Sequence, residues 1–166
     1  MGKLETLTKK AEEMEKQLNE LKAEIERAKK DWEMQPLYDY ADEYFFVDPE
    51  GIVLKSRWDN MNFDINAFSQ GNIFKTGEEA ELEVKRRKLL TRFRAFRDDY
   101  NEGWKPDWTD FNEAKWSAVL SEGKLEALSM YCNNSFDTFG HFKNREDCKR
   151  AVELFGEEII KLFVEA

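Results

Sequence analysis

His141, Cys132 and Cys148 are the residues from which this chain would have to build a nucleophile or a soft-metal site, for it has one histidine and two cysteines. A nucleophilic pair needs a thiolate beside an imidazole, and a zinc site needs cysteines and histidines at short, repeated spacing. Cys148 falls in the start of an expected helix, so the expectation is two buried structural thiols and a surface histidine. Asp59-Asn60-Met61-Asn62-Phe63-Asp64 offers oxygen ligands at alternate positions. It lacks the glycine and terminal glutamate of a calcium loop, and Asx turns account for it. No Gly-rich phosphate cradle and no G-x-S-x-G elbow occurs. Paired carboxylates are common simply because the chain has 35 acids. These residues predict a protein that is not an enzyme and has no cofactor or metal.

The remaining candidate chemistry is cationic. From Val84 to Arg97 the chain carries Lys85, Arg86, Arg87, Lys88, Arg92, Arg94 and Arg97 and no acid, within an overall net charge of −9. Arginine holds phosphate bidentately, so Lys85, Arg86, Arg87, Arg92 and Arg94 are candidates for binding a nucleotide or nucleic acid. Against that, the charges are spread around most of a helix, and the acidic balance of the chain disfavours non-specific adhesion to nucleic acid. A solvated face, balanced by acids elsewhere, is the competing reading.

The elements that must position these residues begin with a long helix. Leu4, Leu7, Ala11, Met14, Leu18, Leu21, Ile25, Ala28 and Trp32 are spaced alternately three and four apart, with no Gly or Pro between Lys3 and Gln35. A narrow apolar seam on a charged helix predicts a coiled coil over residues 3–33 and a homodimer through it. Charge leaves the orientation open. Lys10–Glu15 and Glu24–Lys29 would attract in a parallel pair, Glu15–Lys22 and Lys10–Asp31 in an antiparallel one. Pro36 ends the helix.

After a linker, Glu43–Val47 and Ile52–Trp58 read as a hairpin around Asp48-Pro49-Glu50-Gly51. A polar Asn/Asp-rich stretch runs from Asp59 to Asn66, and a short strand ends at Ile73-Phe74-Lys75. Thr76-Gly77-Glu78-Glu79 is a capping box for a helix to about Tyr100, closed by Asn101-Glu102-Gly103. The second half follows the same plan. Lys115–Ser121 and Lys124–Cys132 make a hairpin about Glu122-Gly123, a short strand ends at His141-Phe142-Lys143, and a helix begins after Asn144. Phe74-Lys75-Thr76-Gly77-Glu78-Glu79 laid over Phe142-Lys143-Asn144-Arg145-Glu146-Asp147 suggests a duplication. The expected fold class is α+β, with the N-terminal coiled-coil helix followed by two tandem β-β-β-α repeats, 43–101 and 104–166. Trp104-Lys105-Pro106-Asp107-Trp108-Thr109-Asp110-Phe111 opens the second as a recognition loop or as core packing.

Glu43-Tyr44-Phe45-Phe46-Val47, the Gly51 turn, Trp58-Asp59-Asn60, Phe63-Asp64 and Gly71-Asn72-Ile73-Phe74-Lys75-Thr76-Gly77-Glu78-Glu79-Ala80-Glu81 resemble a family of small prophage and mobile-element proteins of Firmicutes and gut bacteria. The resemblance spans nearly the whole chain. It carries no catalytic residue and implies provenance: an accessory protein in the bacterial host cytoplasm, of the anti-CRISPR kind, binding a host protein such as a defence nuclease by surface occlusion. Nucleic-acid or nucleotide binding through the basic helix is the alternative, and a structural phage component a second. No apolar run is long enough for a membrane span and no signal-peptide pattern opens the sequence.

Overall fold

The computed structural model describes residues 2–30, 36, 38–134 and 136–166, and within the first helix the side chains of residues 7–26. Among these the order is α1 (Lys3–Lys30), β1 (Glu43–Val47), β2 (Val53–Arg57), α2 (Asn62–Ser69), α3 (Gly77–Asn101), β3 (Lys115–Ser121), β4 (Lys124–Met130) and α4 (Arg145–Phe163). The fold is α+β, with two antiparallel two-stranded sheets. The chain divides into two units, residues 1–39 and residues 40–166. Among the described residues α1 is the element of the first.

In the second unit each hairpin is set by its turn. Asp48 Oδ1 accepts from Glu50 N (2.9 Å) and Ile52 N (2.8 Å), and Gly51 takes φ +83° to let the chain reverse. Glu122 and Gly123 both have positive φ, the geometry of a two-residue turn matched to strand twist. β1 and β2 are sandwiched by helices. Alternation puts Tyr44 and Phe46 on one face, under α2: Phe46 meets Phe63 edge-on at 5.1 Å, and Trp58 stands between Tyr44 and Phe68. Phe45 faces the other way, against the start of α3 at Gly77.

β3 and β4 lie on α4, and α4 packs on α3. Their shared core holds Leu89 and Phe93 of α3, Phe139 and Phe142 of the intervening chain, and Cys148, Ala151, Phe155, Ile159 and Leu162 of α4. Phe93 is the hub, with ring centroids 4.9, 5.8 and 5.5 Å from Phe139, Phe142 and Phe155.

The short third strands expected in each half are each a single bridge. Phe74 exchanges backbone bonds with Phe45 (2.8 and 2.9 Å), and Phe142 with Trp116 (2.7 and 2.9 Å). Neither extends, because a left-handed glycine precedes it (Gly71 at φ +66°, Gly140 at φ +76°) and a helix N-cap follows two residues later. Of the Asp59–Asp64 segment, expected as Asx turns, Asp59 makes one, its Oδ1 accepting from Met61 N (3.1 Å), while Asn62 onward belongs to the helix α2. The caps also differ in detail. Thr76 Oγ1 accepts from Glu79 N (3.2 Å), but the Glu79 carboxylate reaches Lys75 N (3.0 Å), one residue further back than a capping box would place it. Asn144 stands at the N-cap of α4 without a side-chain bond to the helix N–H groups; its Nδ2 donates to Asp147 Oδ2 (3.0 Å).

Candidate functional site

On α1, the chain forms one continuous helix because residues 3–30 contain good helix formers and no breaker. Leu7, Met14, Leu18, Leu21 and Ile25 share one face, from 47% exposed at Ile25 to 63% at Met14. Ala11 lies in the same row and is also exposed. Trp32 lies outside the described residues, as do the side chains of Leu4 and Ala28. The five large side chains leave in water apolar area whose removal is worth about 25 cal/mol per Å². The helix itself is highly charged elsewhere, and the exposed Lys16–Glu20 pair at 3.9 Å contributes little.

The basic residues of α3 meet a different fate. Arg86 Nε donates to Leu162 O at 2.6 Å, capping the last turn of α4, and its guanidinium lies 5.4 Å from the Phe163 ring. Arg87 pairs with Glu83 (2.9 Å) and reaches Asn72 Oδ1 (3.3 Å). Arg92 pairs with Glu158 (2.9 Å) over the Phe155 ring, and Arg94 donates to Thr138 O (3.4 Å). Lys85 is exposed and adds no partner to the group. So four of the five candidate phosphate ligands join α3 to α4, to the chain before Phe139, or to α3's own preceding turn. They point to separate places rather than to one pocket. Arg86→Ala is expected to lower stability by about 1.5–3 kcal/mol through the lost charge-assisted cap. Urea unfolding checks this, and an unchanged midpoint would show the cap to be worthless.

A cleft of about 480 Å³ lies at the end of α3, lined by Arg97, Asn101, Trp104, Lys105, Pro106 and His141. None of the five candidates lines it. Arg97 is committed already, donating to Asp98 Oδ1 and, through Nη1, to Phe139 O (2.9 Å). A Cβ on Gly140 would stand 2.2 Å from that Nη1, so glycine is required there twice, by its φ and by the guanidinium. Asn101, buried, clamps the 141–143 segment: Nδ2 donates to His141 O (2.8 Å) and Oδ1 accepts from Lys143 N (3.0 Å).

The Trp104–Phe111 loop is built around a buried lysine. Lys115 is fully enclosed, and its three ammonium hydrogens meet three acceptors: Asp110 O and Glu113 O at 2.9 Å and Glu113 Oε2 at 3.3 Å. The Trp108 ring covers it at 5.7 Å. Glu113 also accepts from Trp104 Nε1 (2.8 Å) and Asp107 N (3.0 Å). The Trp104 bond first, then the Asp107 N–H, hold its carboxyl below the usual range against a small opposing effect of burial, and Lys115 adds to them. Both tryptophans are half-buried, whereas Phe111 stands exposed.

The expected surface histidine is instead buried. His141 packs edge-on to Trp108 at 4.8 Å and is 8% exposed. Burial lowers its pKa, Asp137 opposes that, and Arg97 reinforces it. Its Nε2 and the Ser117 Oγ, on neighbouring positions across the Trp116–Phe142 bridge, are the enclosed side-chain atoms without a hydrogen-bond partner among the described residues. Of the two thiols expected to be buried, Cys132 is exposed and Cys148 is enclosed. Burial, then Asp137, push the Cys148 thiol up to about 12. A thiol that holds its proton this firmly is a core residue and a poor nucleophile.

Asp64 explains the polar stretch. It is 2% exposed; its Oδ1 accepts from Tyr44 OH (2.5 Å), and its Oδ2 accepts from Asp59 N (3.0 Å) and Met61 N (3.3 Å). A carboxylate three residues into α2 thereby ties the helix start to the hairpin. Among the described residues no group of three or more His, Cys, Asp or Glu is placed to hold a metal, and no helix is long and apolar enough to cross a membrane. No protein-family model, no curated protein and no solved structure matches this chain.

Proposed function

We propose that this chain is a non-enzymatic binding protein that works as a homodimer joined through α1. The observation that carries the reading is the row Leu7, Met14, Leu18, Leu21 and Ile25, 47–63% exposed along an uninterrupted 28-residue helix. A helix this polar cannot bury such a row against itself, and supercoiling with a second copy removes it from water. The biological setting we propose is a phage or mobile-element accessory protein in the bacterial host cytoplasm. It would block a host factor, such as a defence nuclease, by occupying its surface. The hairpin and helix-start motifs from Glu43 to Glu81 support that setting through the resemblance they carry. We also read residues 43–101 and 104–166 as tandem copies. Supporting this, Phe74 and Phe142 each bridge the first strand of a hairpin and each stand two residues before a helix N-cap.

Two measurements test the reading. Leu18→Asp with Leu21→Asp should convert a dimer to a monomer by light scattering while the far-ultraviolet signal of the second unit persists. An unchanged mass would sink the dimer. Affinity purification from a bacterial lysate should return a stoichiometric host protein with no excess absorbance at 260 nm. A nucleic-acid signal with steep salt dependence and no protein partner would favour the basic helix instead, and assemblies larger than a dimer the structural component.

A further inference from the structure

Resting on that dimer, we infer that the second copy lies antiparallel on α1, with the two-fold axis beside Lys16. The argument is one of side-chain volume. In a parallel pair each seam residue faces its own copy, so Ala11 would face Ala11 between layers of Leu7 and Met14. Two methyl groups leave a void there that their larger neighbours hold open. In the antiparallel register about Lys16, the layers become Leu7 with the partner's Ile25, Ala11 with the partner's Leu21, and Met14 with the partner's Leu18. Every layer then has at least one large side chain, and the small residue is matched to a leucine.

The seam residue types are divided. Parallel two-stranded coils favour β-branched residues at the first seam position and leucine at the second. On that rule Ile25 at the first kind of position and Leu7 and Leu21 at the second suit a parallel pair, whereas Ala11 and Leu18 at the first and Met14 at the second do not, so the choice falls to volume and to the flanks. The flanks fit this register as well. Lys10 falls opposite the partner's Glu24 on both sides of the axis, and Gln17 opposite itself. Glu15 faces its own copy on the other flank, a like-charge contact at the exposed rim that screening makes small.

The experiment uses full-length chains carrying Cys132→Ser, which removes the exposed native thiol and leaves the enclosed Cys148. Leu7→Cys and Ile25→Cys are made separately, mixed under reducing conditions, oxidised, and run on a non-reducing gel beside light scattering of the parent. The expected result is a cross-linked dimer in the mixture and none in either variant alone. Self-cross-linking of each variant would overturn the antiparallel register while leaving the dimer standing. A monomeric parent would overturn the dimer itself, and a dimer with no cross-link in any sample would overturn this register, placing the interface in the shifted antiparallel register that Glu15–Lys22 and Lys10–Asp31 pairing requires or off this seam. Met14→Cys mixed with Leu18→Cys repeats the test at a second layer, should the first pair perturb the helix.

Discussion

Phe93→Ala is expected to destabilise the second unit by about 3–5 kcal/mol, the range for removing a fully buried phenylalanine. Phe93 has no exposed surface, and its ring is the one that Phe139, Phe142 and Phe155 all face. Those three rings come from the chain before α4 and from α4 itself. The cavity would therefore open between α3 and α4 rather than inside one element. Phe96 also touches Phe142 and Phe155, at 6.3 and 5.8 Å, so the neighbours have their own fixed partners and cannot collapse freely into the gap. A loss near the upper end is expected for that reason. Phe93→Leu keeps most of the volume and should cost less than half as much. Urea unfolding followed by tryptophan fluorescence measures both, with the slope unchanged if only the native contacts were lost. A cost below about 1 kcal/mol for the alanine variant would mean that Phe93 is not the hub of this core.

The contrast between what the residues disclose and what they conceal follows from the range of the interactions. The helix α1, α3 and both hairpins depend on period, caps and turns within a few positions, and all are legible along the chain. The basic run was legible as charge but not as use, since the acceptor for Arg86 is Leu162 O, 76 residues away. Lys115 looked like the ordinary first residue of a strand. Its cage consists of the carbonyls of Asp110 and Glu113 and a ring from Trp108, and no residue type announces a backbone acceptor. His141 was misplaced for a similar reason: a polar residue at a strand end is commonly exposed, and the Trp108 loop that covers it is held by the same lysine. The third strands were overextended because Phe74 and Phe142 have strand chemistry, while the glycines and caps on either side leave room for one pair of backbone bonds.

The helix α2 was hidden by its own acid, and that acid makes the second large prediction. Asn and Asp around position 60 read as turn formers, yet Asp64 accepts from three donors, two backbone and one from Tyr44, twenty residues earlier. Each donor left unpaired in a buried place costs about 1–3 kcal/mol. Asp64→Ala removes the acceptor that all three share, while Met61 N keeps Asp59 Oδ1 at 3.1 Å, and is expected to lower stability by about 2–3 kcal/mol. Asp64→Asn should recover much of the loss, because the amide oxygen can accept from the two backbone N–H groups while its NH₂ donates to the Tyr44 hydroxyl oxygen, leaving only the carboxylate's charge missing. Acid should act in the same direction. Burial raises the Asp64 pKa, but the bonds from Tyr44, the Asp59 side chain and the backbone outweigh it, and the net position is below the usual 3.8. Its contribution is thus present above 3.8 and lost as pH falls through the lower folded value. Asp59, held above 3.8 by its contact with Asp64 and then by burial, is the member of the pair that takes a proton first. Tyr44 marks the alkaline end. Burial and the Asp64 bond push its hydroxyl up to about 12, so the stability it confers is complete below 10 and declines as pH rises from there toward 12. Tyr44→Phe should remove that alkaline decline and leave Asp64 one donor short, at a cost of about 1–3 kcal/mol at neutral pH. Denaturation midpoints of the parent, Asp64→Asn and Tyr44→Phe across pH 3 to 11.5 check each limb separately. If the parent and Tyr44→Phe decline in parallel above pH 10, the buried hydroxyl–carboxylate bond does not hold α2 to the hairpin.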